Sequence, residues 1–359
     1  MRFLRLLLFP LSFAYALGVF LRNRAYDLQI LKSRRFKIPV ISVGNLAAGG
    51  SGKSPMTEYL VSLLKEEYKI AILSRGYGRR SKGYFTVKTI SQIEDVGDEP
   101  LQFKRKFPDV TVAVCEDRVE GIKQLKQHHQ VIVLDDAFQH RGVKPGLSLL
   151  LFDYYKLFKP QWFLPSGDLR EPLSSRKRAE IIVVTKTPFN LIDSERQRIK
   201  DRVNPLSQQQ LFFSYLKYHD LISLYLTGSR LPLETINPET HLFLLTGIAS
   251  TEPFVDHLRR YTQRITHHTY PDHHQFSKKN IIKLASEFKN ETAVNKLIIT
   301  TEKDAQRLKS SAFKELLKLL PVYYLPVKAC FHQEDEKRFN DLIKKYVREH
   351  SINNRIHKA

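Results

Sequence analysis

Ile38-Pro39-Val40-Ile41-Ser42-Val43-Gly44-Asn45-Leu46-Ala47-Ala48-Gly49-Gly50-Ser51-Gly52-Lys53-Ser54 runs from an apolar, strand-like segment through a glycine-rich turn into a helix start. Met56, Tyr59, Leu60, Leu63 and Leu64 then recur at helical spacing. A turn in this position can aim backbone N–H groups at phosphate oxygens only where side chains do not obstruct them, which accounts for the glycines. Lys53 then reaches the terminal phosphates of a nucleotide and Ser54 offers its hydroxyl to Mg²⁺. Gly49, Gly50, Ser51, Gly52, Lys53 and Ser54 are therefore the candidate nucleotide cradle, with ATP and Mg²⁺ as the expected cofactors. Ala47 departs from the pattern, which ordinarily has glycine six positions before the lysine.

Outward from this point the chain alternates between strand and helix signals. Residues 70–73, 110–114, 131–134, 147–152 and 181–184 are apolar runs without polar alternation, as expected of strands covered on both faces. This predicts an α/β fold: a doubly wound, mostly parallel sheet of P-loop NTPase type over residues 31–200. From 201 to 240 polar and proline-bearing stretches read as a linker region, and residues 241–335 as a second, smaller α/β lobe with strands at 241–246, 297–301 and 322–327. Residues 336–359 read as a basic, frayed C-terminal tail.

The length of 359 residues suits about two domains, and 42% apolar composition argues against general disorder. Two cysteines, Cys115 and Cys330, cannot build a disulfide framework or a four-thiolate zinc site and suit a reducing compartment. A net charge of +21 calls for anionic partners. Part of it gathers at the N-terminus, where residues 1–37 hold eight Lys or Arg against one acid, Asp27, around an uncharged run at 6–21. As a helix those sixteen uncharged residues span about 24 Å, short of the roughly 30 Å hydrocarbon core, and Pro10 falls among them. An N-terminal membrane-associating helix over residues 1–30 is the favoured reading, ahead of a buried core helix, a span or a signal segment. No zinc, RNP-type or helix-turn-helix pattern supports nucleic acid as the partner.

Val131-Ile132-Val133-Leu134-Asp135-Asp136 places two acids at the carboxyl edge of a parallel sheet, where a P-loop protein holds its metal; which of Asp135 and Asp136 makes the direct contact is open. Further along come Ser74-Arg75-Gly76-Tyr77-Gly78-Arg79, Gly97-Asp98-Glu99-Pro100, Asp135-Asp136-Ala137-Phe138-Gln139-His140 and Leu169-Arg170-Glu171-Pro172. The second half adds Thr246-Gly247-Ile248-Ala249, Tyr270-Pro271-Asp272-His273-His274 and Thr301-Glu302-Lys303-Asp304. With the glycine-rich turn, this series resembles the tetraacyldisaccharide 4′-kinase family, the lipid A kinases of Gram-negative bacteria, over most of the chain. Ala137 and Asp168 depart from the family pattern, which usually has glycine and proline there.

The resemblance implies transfer of the ATP γ-phosphate to the 4′-hydroxyl of an acylated glucosamine disaccharide that already carries one phosphate. It implies Asp98 as the base that takes the hydroxyl proton and a histidine beside it, His273 being chosen with His274 left open. It places Gln139, His140 and Glu171 along the active cleft and Lys303-Asp304 near the nucleotide, while Arg75, Arg118 and Arg170 are read, as cations, to lie near anionic groups of nucleotide or lipid. Arginine's planar fork suits phosphate oxygens. The expected partners are the lipid substrate and an anionic membrane surface, with no nucleic acid and no obligate protein partner. The expected location is the cytoplasmic face of the bacterial inner membrane, peripheral or monotopic, a single span being open. The rival reading is a membrane-associated P-loop ATPase regulating a protein partner, which would keep Lys53, Ser54 and Asp135 but have no use for Asp98 as a base.

Overall fold

A computed structural model of the chain describes residues 7–226 and 229–356. These residues fall into two compact units, one drawn from 1–216 and 329–359, the other from 217–328. The strands of the first unit are β1 (Val40–Asn45), β2 (Ile70–Ser74), β3 (Phe85–Thr86), β4 (Thr111–Val114), β5 (Val131–Asp135), β6 (Leu147–Asp153), β7 (Ile181–Thr185) and β8 (Gln210–Tyr218). The chain then forms β9 (Leu221–Ser223), β10 (Arg230–Leu231), β11 (His241–Thr246), β12 (Ile265–Thr269), β13 (Lys296–Thr301) and β14 (Val322–Leu325), and returns to the first sheet as β15 (Val327–Phe331).

The first sheet has nine strands in the order β15-β8-β7-β6-β1-β5-β2-β4-β3. From β8 to β4 every pairing is parallel, and β3 closes the edge antiparallel to β4. The connection order reverses at β1, which lies between β5 and β6, so the crevice at its carboxyl end is the natural ligand position of such a sheet. All six residues of β1, all five of β5 and all seven of β6 are buried, as expected of mainly apolar strands without polar alternation that are covered on both faces. The register pairs Val43 with Asp135, which brings the acidic end of β5 beside the glycine-rich turn. The second unit is built on a six-stranded sheet, β10-β9-β14-β13-β11-β12, parallel from β14 to β12 and antiparallel around β9.

Two boundaries drawn from the sequence change. Residues 201–240 are not a linker: Val203 closes the helix Asp193–Val203, β8 joins the first sheet, and β9 and β10 belong to the second. The polar residues around β8 conceal the buried pair Phe212 and Phe213. The tail is likewise structured, since Gln333–Ile356 is one helix. Phe339, Ile343, Tyr346 and Val347 recur along one face and are buried in the first unit's core. Tyr346 locks that helix to the start of β1, accepting from Val40 N–H and donating to Val40 C=O, each at 3.2 Å.

At the other end, Phe9–Asp27 is a helix of 19 residues. Among the described residues no helix is long and apolar enough to cross a membrane. Nor is it a core helix: only Ser12 and Val19 are buried, while Leu11 is 58% and Phe13 70% exposed, as are Leu17, Phe20 and Leu21 to similar extents. Polar contacts dock it instead. Ser12 Oγ lies 2.8 Å from Ser166 Oγ, Tyr15 OH donates to Arg170 C=O at 3.2 Å, and Arg141 pairs with Asp27 at 2.7 Å.

Candidate active site

β1 ends at Asn45, and the loop that follows delivers Lys53 to the first position of the helix Lys53–Leu64. Gly52 precedes it at φ +80, a left-handed conformation that a side chain would strain, and Gly49 turns at φ +96. Ala47 needs no such freedom, because its backbone is bridged antiparallel to Leu169. Asp168, the other departure nearby, accepts Ala48 N–H through its own C=O at 2.6 Å, so both residues lie on the same strip of loop pairing. Lys53 is buried, its Nζ 3.4 Å from Asn45 Oδ1 and 3.8 Å from Asp136 Oδ2.

The acids at the end of β5 occupy different environments. Asp135 is 1% exposed and accepts from Ser74 Oγ at 3.1 Å and Thr57 Oγ1 at 3.4 Å. Burial, then the charges of Glu99 and Asp136, push its carboxyl up to about 7, with Lys53 opposing. Asp136 follows in a left-handed turn at φ +46. Burial works against its ionisation too, but Lys53 and Arg170 outweigh it and hold the carboxyl below its ordinary range. Adjacent carboxyls driven apart in this way leave one ionised and the other near its midpoint at neutral pH.

Glu99 enters the site without having been a candidate in the sequence: its Oε1 accepts Ser54 Oγ at 2.9 Å. The available signal was its position directly after Asp98 at the start of the helix Asp98–Lys106. Asp98 is buried, and its Oδ1 accepts Glu99 N–H at 2.9 Å. Among the described residues, no group of three or more His, Cys, Asp or Glu side chains is arranged to hold a metal by itself.

The cations gather on the same edge. Arg170 Nη1 spans both oxygens of Asp136 at 3.1 and 3.0 Å. Arg118 is buried, donating to the Cys115 and Glu116 carbonyls at 3.3 and 3.1 Å, while its Nε has no hydrogen-bond partner among the described residues. Burial lowers its guanidinium to about 10, Asp136 and Asp135 pulling the other way. Arg75 is exposed just past β2, close enough for its charge to act on both Arg118 and His140. Burial and then Arg118 push His140 down to about 4, which leaves it neutral at physiological pH. Gln139 donates from Nε2 to Asn45 C=O at 2.7 Å and so braces the end of β1.

Glu171 differs from its expected place along the cleft. It is fully buried, with Oε1 paired to Arg22 of the N-terminal helix at 2.6 Å and Oε2 paired to Arg178. Both oxygens are occupied, so it ties the N-terminal helix to the segment carrying Arg170 instead of facing a ligand. In the second unit, His273 turns at φ +58 after β12, its Nε2 3.2 Å from Lys303 Nζ and 3.8 Å from Asp272 Oδ2. His274 stacks on Tyr270 with centroids 4.5 Å apart and meets Asn280 at 3.1 Å. Asp304 is committed to structure: it accepts Gly247 N–H and the Thr301 hydroxyl and pairs with Arg307 at 2.6 Å.

The family described as "Tetraacyldisaccharide-1-P 4'-kinase" (LpxK) matches residues 4–348. Tetraacyldisaccharide 4'-kinase of Phocaeicola vulgatus is 41% identical over 351 residues, covering 96% of each chain. That of Flavobacterium johnsoniae is 42% identical over 354 residues, covering 97% of this chain and 99% of its own. A crystal structure of LpxK from Aquifex aeolicus in complex with ATP superposes with a TM-score of 0.73 at 29% identity, covering 96% of this chain and 99% of the other. Fold, phosphate loop and nearly full-length similarity agree, and this chain belongs to the tetraacyldisaccharide-1-phosphate 4'-kinase family.

Proposed function

We infer that this protein transfers the γ-phosphate of ATP to the 4′-hydroxyl of a tetraacyldisaccharide 1-phosphate, giving the bis-phosphorylated lipid A precursor. The observation that carries the reading is the convergence of Lys53, Ser54, Glu99, Asp135 and Asp136 where β1 and β5 end, in a chain of this family. Phosphoryl transfer asks a protein mainly for placement and charge neutralisation. Lys53 and the N–H groups of the loop hold the β- and γ-phosphates; Arg118, Arg170 and Arg75 supply further positive charge to anionic groups at the same edge.

The donor set fits Mg²⁺. Hard oxygens from Ser54, Glu99, Asp135 and Asp136 lie together, and Mg²⁺ takes one or two carboxylates and completes its shell with phosphate oxygens and water, so a full protein cage is not required. When bound, Mg²⁺ neutralises phosphate charge. Asp98 is assigned as base: its carboxylate takes the 4′-hydroxyl proton as that oxygen bonds to the γ-phosphorus, the bond to the β–γ bridging oxygen breaks, and ADP leaves. His273 is assigned to the same reaction on the strength of the resemblance alone.

The N-terminal helix suits association with an anionic membrane surface from the cytoplasmic side. Its exposed Leu11, Phe13, Leu17, Phe20 and Leu21 present apolar area, and Trp162 extends the patch by edge contact with Phe9 at 5.8 Å. Basic residues around it add roughly 1 kcal/mol each near anionic lipid.

The test is purified protein in detergent with Mg·ATP and the lipid disaccharide 1-phosphate, expected to yield the bis-phosphorylated lipid. Lys53→Ala and Asp98→Ala should each lower kcat by about 100-fold or more with unchanged melting. ATP hydrolysis without lipid phosphorylation by the wild type would refute the kinase reading, and full activity in the Asp98 variant would remove it as base.

A further inference from the structure

The phosphate loop is gripped from the sheet side by residues with no part in the mechanism above. Thr185, the last residue of β7, shares its hydroxyl proton between Ser51 C=O at 2.9 Å and Phe152 C=O at 3.1 Å. Lys186 follows, 8% exposed and in a left-handed backbone at φ +59 that is uncommon outside glycine. Its Nζ donates to Gly50 C=O and to Asp153 Oδ2, the latter at 2.8 Å. Asp153 ends β6, and the parallel register pairs it with Thr185, so two neighbouring strands bring the carboxylate and the lysine together directly behind the loop.

The consequence follows from peptide geometry. In a trans peptide unit the C=O and the next N–H point in opposite directions. Gly50 C=O and Ser51 C=O are both drawn toward the ends of β6 and β7, so the N–H groups of Ser51 and Gly52 are turned the other way. Ser51 N–H is taken up by Gly49 C=O at 2.9 Å, which makes the turn one unit with its two anchors and leaves Gly52 N–H as the donor that the anchored carbonyls orient toward a ligand. Asp153 balances the charge of Lys186, so this lysine acts through orientation, unlike Lys53.

We propose that Lys186 is a positioning residue for nucleotide binding: oriented by Asp153, it fixes Gly50 C=O and so the Gly49–Ser51 turn, while Thr185 holds Ser51 C=O, and together they aim Gly52 N–H at the phosphates of ATP. The proposal rests on the assignment of ATP to this loop. It is tested by titrating the full-length protein with Mg·ADP in a calorimeter and by measuring KM separately for ATP and for the lipid.

Lys186→Met should weaken Mg·ADP by about tenfold or more, the size of one lost charge-assisted hydrogen bond, and raise KM for ATP while KM for the lipid stays within twofold. Asp153→Asn should move the same way. Thr185→Ser should retain wild-type affinity and Thr185→Val lose it, a pair that keeps the test decisive if Lys186→Met does not fold. Mg·ADP affinity within twofold of wild type in Lys186→Met or Thr185→Val would overturn the proposal, as would parallel loss for ATP and lipid. Wild-type protein that fails to bind Mg·ADP would instead overturn the assignment of ATP to the loop.

Discussion

Replacing Asp135 by asparagine should make the protein more stable at neutral pH while disabling it. Burial, then Glu99 and Asp136, raise this carboxyl from 3.8 to about 7. The native state therefore holds a proton over an interval in which the unfolded chain has released it, and stability falls as pH rises from about 4 to about 7. The slope is at most about 1.4 kcal/mol per pH unit, so the interval is worth roughly 4 kcal/mol as a ceiling. Asparagine has the same shape and carries no charge; its Oδ1 can still accept from one of the Ser74 and Thr57 hydroxyls, which bond to different carboxylate oxygens, while its Nδ2 donates to the other. Urea unfolding of both proteins at pH 5, 6, 7 and 8, without added metal or nucleotide, should show the advantage of the variant growing with pH. Mg·ADP should shrink it by binding the ionised wild-type site preferentially. A difference independent of pH across that range would refute the argument, because it would mean that the carboxyl titrates at its ordinary value.

Two further outcomes follow from packing. Phe339 is fully buried and stacks on Phe331 with centroids 4.3 Å apart, so Phe339→Ala should cost about 3–5 kcal/mol in urea unfolding, whereas a loss under about 1 kcal/mol would mean that the C-terminal helix is peripheral to the core. Leu11→Ser with Phe13→Ser should leave folding within about 1 kcal/mol, since both side chains face outward, yet lower partition onto anionic vesicles at least roughly tenfold; undiminished vesicle binding would dismiss this face as the anchor.

The chemistry that depends on neighbours in the chain was legible before any coordinates. The apolar run into Asn45, the turn to Gly52 and the Lys53-Ser54 start of a helix are set by spacing within seventeen residues, and the buried strands announce themselves as runs without polar alternation. Asp135 and Asp136 stood out because an apolar strand ends in them. The C-terminal helix is concealed in the sequence for the opposite reason. Its buried face of Phe339, Ile343, Tyr346 and Val347 is present in the sequence at helical spacing, but abundant charge on the other positions masks it.

The phosphate loop, the α/β class and the family resemblance are written in short windows of the chain where backbone conformation and side-chain type are coupled. How distant residues pair is set by the folded arrangement instead. Glu99 reaches Ser54 across 45 positions, Lys186 reaches Gly50 across 136, and Arg22 reaches Glu171 across 149. Such partners are chosen by strand order and by the cost of leaving a buried charge or carbonyl unpaired, and neither is expressed in the local pattern around any one of them.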